Sequence, residues 1–161
     1  MASLKKDIQR SSKWLVKAFS ALDKDLDFSV KSVEHIEDLP KEQFVDGQAK
    51  ADGLFAKGLG EKLFAISSYI GEVVIRNTSA TKWITDDKDP QGEINIKLVS
   101  ANGTEMYPAH RVLKRIQNGE EDNLYHYTAI AVKKYMHFEG TIPEGFLEPK
   151  ERSDKPWWKF W

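Results

Sequence analysis

Leu63, Ile66, Ile70, Val73 and Val74 recur at helical spacing with Phe64 and Tyr69 beside them, and this broad apolar stripe constrains the chain more than any other feature. A helix so apolar over so much of its circumference must be covered on most sides, so residues 61–77 are expected to form a central buried helix. Gly71 inside it is expected at a helix crossing, where the missing side chain lets another backbone come close. Glu72 and Arg76, spaced i,i+4, read as a structural ion pair sooner than as an acid–base couple.

Downstream the period changes. Ile94, Ile96 and Leu98 alternate with Asn95, Lys97 and Val99 after an Asp89-Pro90-Gln91-Gly92 turn, which predicts a strand over 94–99. Asn102-Gly103 supplies a tight reversal into Thr104–Tyr107, and residues 82–85 around Trp83 are expected to add a third antiparallel strand. Upstream, Leu4, Ile8, Trp14, Leu15, Ala18, Phe19 and Leu22 predict a first helix of about five turns. Asp27-Phe28-Ser29 offers an N-cap to a shorter helix carrying Val30, Val33, Ile36 and Glu37, which Pro40 should end. Residues 41–60, punctuated by Gly47, Gly53, Gly58 and Gly60, read as broken helix. Pro108-Ala109 opens a helix with Val112, Leu113 and Ile116 facing inward, closed by Asn118-Gly119, and residues 122–137 read as the last helix. Helices around a small three-stranded antiparallel meander define an α+β fold. The expected organisation is a single domain over 1–139 and a C-terminal Pro/Trp-rich tail over 140–161.

A chain of 161 residues is long enough to bury its own core without a disulfide or a structural metal. The absence of cysteine excludes thiolate catalysis, iron–sulfur clusters and Cys-ligated zinc. A net charge of −1 gives no whole-domain basic field, so no nucleic-acid partner is expected. Polar residues break every apolar run and the N-terminus has no unbroken apolar core, so neither a membrane span nor a secretory signal is expected and the cytosol is the default location. No glycine-rich phosphate loop occurs, and no cofactor is expected.

Three constellations could carry chemistry. Asp23, Asp25, Asp27 and Glu34 have the spacing of a calcium loop, but Phe28 stands where the sharp turn needs glycine and Lys31 puts a cation at a ligand position, so calcium binding is not expected. Arg111, Lys114, Arg115 and Asn118 are expected to share the solvent-facing side of the helix after Pro108, as a solvated face or a partner-docking patch. His35, His110, His126 and His137 are scattered and match no paired-ligand or nucleophile pattern, and Asp86, Asp87 and Asp89 read as a polar loop. No catalytic residue and no metal site is therefore assigned. A small hydrolase or ligand-binding enzyme with a cleft near Glu72, Arg76 and His110 is the alternative.

The segments Leu26-Asp27-Phe28-Ser29, Ser32-Val33-Glu34 and Tyr69-Ile70-Gly71-Glu72-Val73-Val74-Ile75-Arg76, followed by Trp83, Pro108, Lys114-Arg115 and Gly119-Glu120, resemble small uncharacterised bacterial domains of a YxGEV…W…P…KR…GE type. Some relatives of those domains are encoded beside toxin systems and are read as immunity proteins. The resemblance implies structural roles for Tyr69, Gly71, Glu72, Arg76, Trp83 and Pro108, transfers no catalytic residue, and points to a non-enzymatic protein that neutralises or docks a protein partner. The tail lies outside it. Trp157, Trp158, Phe160 and Trp161 crowd the last five residues and need a destination, whether the domain's own groove, a partner or, last in rank, a membrane interface. The expected partner-binding residues are Arg111, Lys114, Arg115, Trp157, Trp158 and Trp161.

Overall fold

Tyr69 shows how the central helix gathers the rest. The computed structural model describes residues 3–46, 48–78, 80–101 and 103–135. The central helix α4 (Leu59–Arg76) has every residue from Phe64 to Val74 buried. Its Tyr69 is fully buried, and the hydroxyl needs partners there. It stands 2.6 Å from Ser32 Oγ and accepts the Phe28 N–H at 2.8 Å. Burial pushes that hydroxyl's pKa up.

These bonds fix the 27–32 turn. Phe28 takes a left-handed φ of 62°, the conformation that the glycine of a calcium loop would supply. Its strain is offset by packing, because the Phe28 ring lies 4.8 Å from Tyr69 and under the Arg76 guanidinium at 3.6 Å. Asp27 turns back to accept the Ser29 N–H at 3.0 Å.

The element order is α1 (Leu4–Ser20), α2 (Val33–Glu37), α3 (Leu39–Gln43), β1 (Phe44–Val45), β2 (Gln48–Ala49), α4, β3 (Lys82–Ile84), β4 (Lys97–Val99), β5 (Glu105–Met106), α5 (Pro108–Asn118) and α6 (Leu124–Ile130). A short 3-10 turn joins α5 to α6, and a π-helical turn continues α6 to Tyr135. The fold is α+β, as expected. α1 packs along α4 more extensively than any other pair of elements, burying Ile8, Ser12, Leu15 and Phe19. The meander has the order β3-β4-β5, antiparallel, with Trp83 opposite Leu98 and Leu98 opposite Met106. That row of three is buried, and Trp83 presses onto α4 at Gly71.

Several boundaries differ from the expectations. Pro40 lies in the first turn of α3 and so opens a helix instead of ending the chain of helices, a position where its missing N–H costs nothing. Phe44–Val45 and Gln48–Ala49 pair as two antiparallel strands, not helix, and Gly58 with φ 65° turns the chain into α4. The strand predicted from 94 begins only at Lys97, and Ile94 sits in the preceding turn at 43% exposure. Of the apolar residues whose spacing predicted the first helix, Trp14 is 43% exposed, and Leu22, beyond the end of α1, is 53% exposed. Residues 140–161, including Phe160 and the three tail tryptophans, lie outside the described residues, as does His137.

Gly71 is close-packed, but its partner is an indole and not a second helix. A methyl group there would fall on the Trp83 ring, against Cη2 and Cζ2. Gly71→Ala should therefore destabilise the fold by about 1–3 kcal/mol, measured by denaturant unfolding, although alanine is the better helix former. An unchanged midpoint would mean that the indole has room to retreat. Tyr69→Phe should cost about 1–3 kcal/mol through the two partners left behind, and a neutral result would show that the Phe28 turn holds without the hydroxyl.

Candidate functional site

Lys6, Arg10 and Lys13 recur at helical spacing on α1, and Lys82 stands on β3 beside them. Together with Lys5, Gln9 and Trp83 they line a groove of about 650 Å³ between α1 and β3. The start of the helix is capped locally and tied by one contact to the loop after β3. Ser3 Oγ accepts the Lys6 N–H at 3.3 Å, and Asp87, from the loop after β3, accepts the Leu4 N–H at 2.8 Å. Asp87 thus caps α1, while Asp86 and Asp89 accept the N–H groups of Lys88 and Gln91 within their own loop. Among the described residues no three His, Asp or Glu side chains gather as a metal site.

Beneath the groove, Gln9 Nε2 donates to the Glu72 carboxylate, which is only 5% exposed. The expected Glu72–Arg76 ion pair does not form. Glu72 turns to α1, and Arg76 turns to the Phe28 face instead. Trp83 is 7% exposed, and its Nε1 has no hydrogen-bond partner among the described residues. Of the five cations, only Arg10 approaches an acid among the described residues, Asp7 at 3.8 Å. An adjoining depression of about 460 Å³ on the other flank of α1 is lined by Arg10, Trp14, Glu61 and Phe64 among others. Arg10 borders both, but Asp7, Glu61 and Glu93 line this second depression, so the cationic surface is confined to the groove beside β3.

The basic face expected on α5 is not a face. Arg111 and Arg115 are 6% and 3% exposed, and only Lys114 points outward with Asn118. Leu113 and Ile116, expected inside, are only partly buried, while Val112 and Ala109 lie in the core. The reason is carboxylates brought from elsewhere in the chain. Arg115 Nε donates to Glu37 Oε1 at 2.5 Å, and the other Glu37 oxygen accepts the Leu124 N–H at 2.7 Å. Arg111 Nη1 meets Asp122 Oδ1 at 3.2 Å, Asn118 donates to the second Asp122 oxygen at 2.8 Å, and the Arg111 guanidinium lies 4.9 Å over Tyr127. Burial pushes Glu37 up, with Arg115 and the Leu124 N–H drawing it back. Tyr127 is pushed up by burial as well. These are clamps joining α2, α5 and α6, not a docking patch.

Pro108 begins α5 as expected, and the left-handed Gly119, φ 81°, follows its end. His110 stacks on Tyr107 at 5.0 Å and approaches Asn95 Oδ1 at 3.4 Å. His35 and His126 sit on α2 and α6. Glu72, Arg76 and His110 are thus each engaged in a separate contact. The residues that sequence reasoning passed over are Lys5, Lys6, Arg10, Lys13 and Lys82. Their signal was present as cations at positions 6, 10 and 13, but nothing in the chain placed Lys82 beside them.

No family model matches the chain, and neither a curated protein nor a solved structure does so. No helix among the described residues is long and apolar enough to cross a membrane.

The Glu37–Arg115 clamp is testable by a double-mutant cycle. Glu37→Leu and Arg115→Met should each cost about 3–5 kcal/mol, because each strands a buried charge, whereas the double variant should cost far less than their sum. Additive losses in chemical denaturation would show that the two side chains are not coupled.

Proposed function

We propose that this protein is a non-enzymatic binding protein of the bacterial cytosol that docks a protein partner, in the manner of an immunity protein neutralising its target. The groove between α1 and β3 carries the reading. It is open and lined by four lysines and an arginine, and among the described residues its lining holds no imidazole, carboxylate or hydroxyl to act as acid, base or nucleophile. The exposed Trp14 next to it supplies the kind of aromatic anchor on which partner binding concentrates. The resemblance of the Tyr69–Arg76 segment to immunity-like bacterial domains supports the same class. Lys114 and the tail aromatics Trp157, Trp158 and Trp161 are proposed as further contacts. A hydrolase using Glu72, Arg76 and His110 has less support, since those groups are committed to Gln9, Phe28 and Tyr107.

The purified protein is expected to turn over no ester, phosphate or glycoside in a broad panel, while immobilised protein captures one specific polypeptide from bacterial cytosol. Trp14→Ala should weaken that capture by at least about fivefold, the loss of 1 kcal/mol that marks a contributing interface residue. Robust turnover that disappears in a folded Glu72→Gln variant would replace the binding reading with an enzymatic one.

A further inference from the structure

We infer that the groove between α1 and β3 takes an acidic, extended segment of the partner, laid along the free edge of β3 with its carboxylates against the α1 cations. This rests on the binding reading above and names the chemistry of what binds.

The sheet order leaves β3 paired on one side only, with β4, and its other edge meets no described strand. Lys82 and Trp83 line the groove while nothing from β4 or β5 does, so the unpaired edge is the one beside α1. An unpaired edge can take up an extended chain through main-chain hydrogen bonds. Lys82 on such an edge repels basic strands, costs desolvation against neutral ones and so discourages self-association, but it favours a strand carrying carboxylates. The opposite wall agrees in length as well as in charge. From Lys6 to Lys13 the helix advances roughly 10 Å at about 1.5 Å per residue. That is room for about three strand residues at 3.3 Å each, and β3 has 3.

Carboxylates standing off one face of the added strand then meet Lys6, Arg10 and Lys13, while its backbone pairs in the plane of the sheet with β3. A nucleic acid fits less well, because the net charge of −1 gives it no basic field beyond this groove and it offers no strand to the edge.

The probe is a blocked peptide of alternating Glu and Val, about six residues long, titrated into the full chain with calorimetry and with amide shifts followed at Lys82, Trp83 and Ile84. We expect binding that weakens steeply with salt, with shifts at β3 and along α1. The Lys6→Glu/Arg10→Glu/Lys13→Glu variant, altered only on an exposed face and checked by an unchanged melting temperature, should lose about tenfold or more in affinity. N-methylation of the peptide at alternate residues, which removes its strand hydrogen bonds without touching the protein, should cost a similar about tenfold.

Several outcomes overturn the inference: no binding of the acidic peptide at low salt, equal binding of the Lys-Val counterpart, an N-methylated peptide that binds undiminished, or tighter binding of oligothymidylate or phosphatidylglycerol vesicles at matched charge. If the acidic peptide fails and the triple variant still captures the polypeptide recovered from cytosol, the groove assignment falls and the binding reading stands. If neither peptide nor polypeptide binds, both fall.

Discussion

The burial of α4 from Phe64 to Val74 is the constraint on which the other elements depend. Its apolar side chains require cover on nearly every side, and its polar ones require partners once water is gone. Ser67 satisfies itself on the Leu63 carbonyl at 2.7 Å. Tyr69 and Glu72 reach outward instead, to the turn before α2 and to Gln9 on α1. The same handles that avoid the cost of unpaired burial thus fix where neighbouring segments sit. Gly71 adds the converse device, an absent side chain that lets the Trp83 indole reach the helix and brings the meander with it.

The charges divide into two populations with opposite consequences. Arg111 and Arg115 are desolvated and committed to Asp122 and Glu37, so they join helices and cannot greet a partner. Lys5, Lys6, Arg10, Lys13 and Lys82 remain exposed around a groove, where attraction for an anion is screened by salt but carries little desolvation cost. A net charge close to zero conceals this separation, because acids elsewhere cancel the groove's cations in any sum over the chain.

Position along α1 also separates structure from candidate function. Ile8, Leu15 and Phe19 are buried against the core, while the opposite side carries the cations and Trp14 lies 43% exposed at the flank. One helix thereby serves as core element and as groove wall, and the cap from Asp87 fixes its start against the loop that follows β3. Any partner bound there would contact elements already locked to α4.

The sequence by itself determined the longer helices and the fold class. The apolar stripe of Leu63–Val74, the shift to alternation at Ile96 and Leu98, Pro108 at a helix start and Gly119 at its end are local signals, because helical and extended backbones impose different side-chain periods and caps obey short-range hydrogen bonding. Short irregular segments were less legible. The paired strands Phe44–Val45 and Gln48–Ala49 have only two residues each, too few for a period, and Pro40 could close one helix or open the next. Which charges face water was decided only by tertiary structure. Arg111 and Arg115 look on a helical wheel like any exposed cations until Asp122 and Glu37 arrive to neutralise them, Glu37 from far away in sequence. The groove has the same origin. Helical spacing aligns Lys6, Arg10 and Lys13, but Lys82 joins them only because Trp83 packs on Gly71, and a contact between distant residues leaves no periodic trace in the chain.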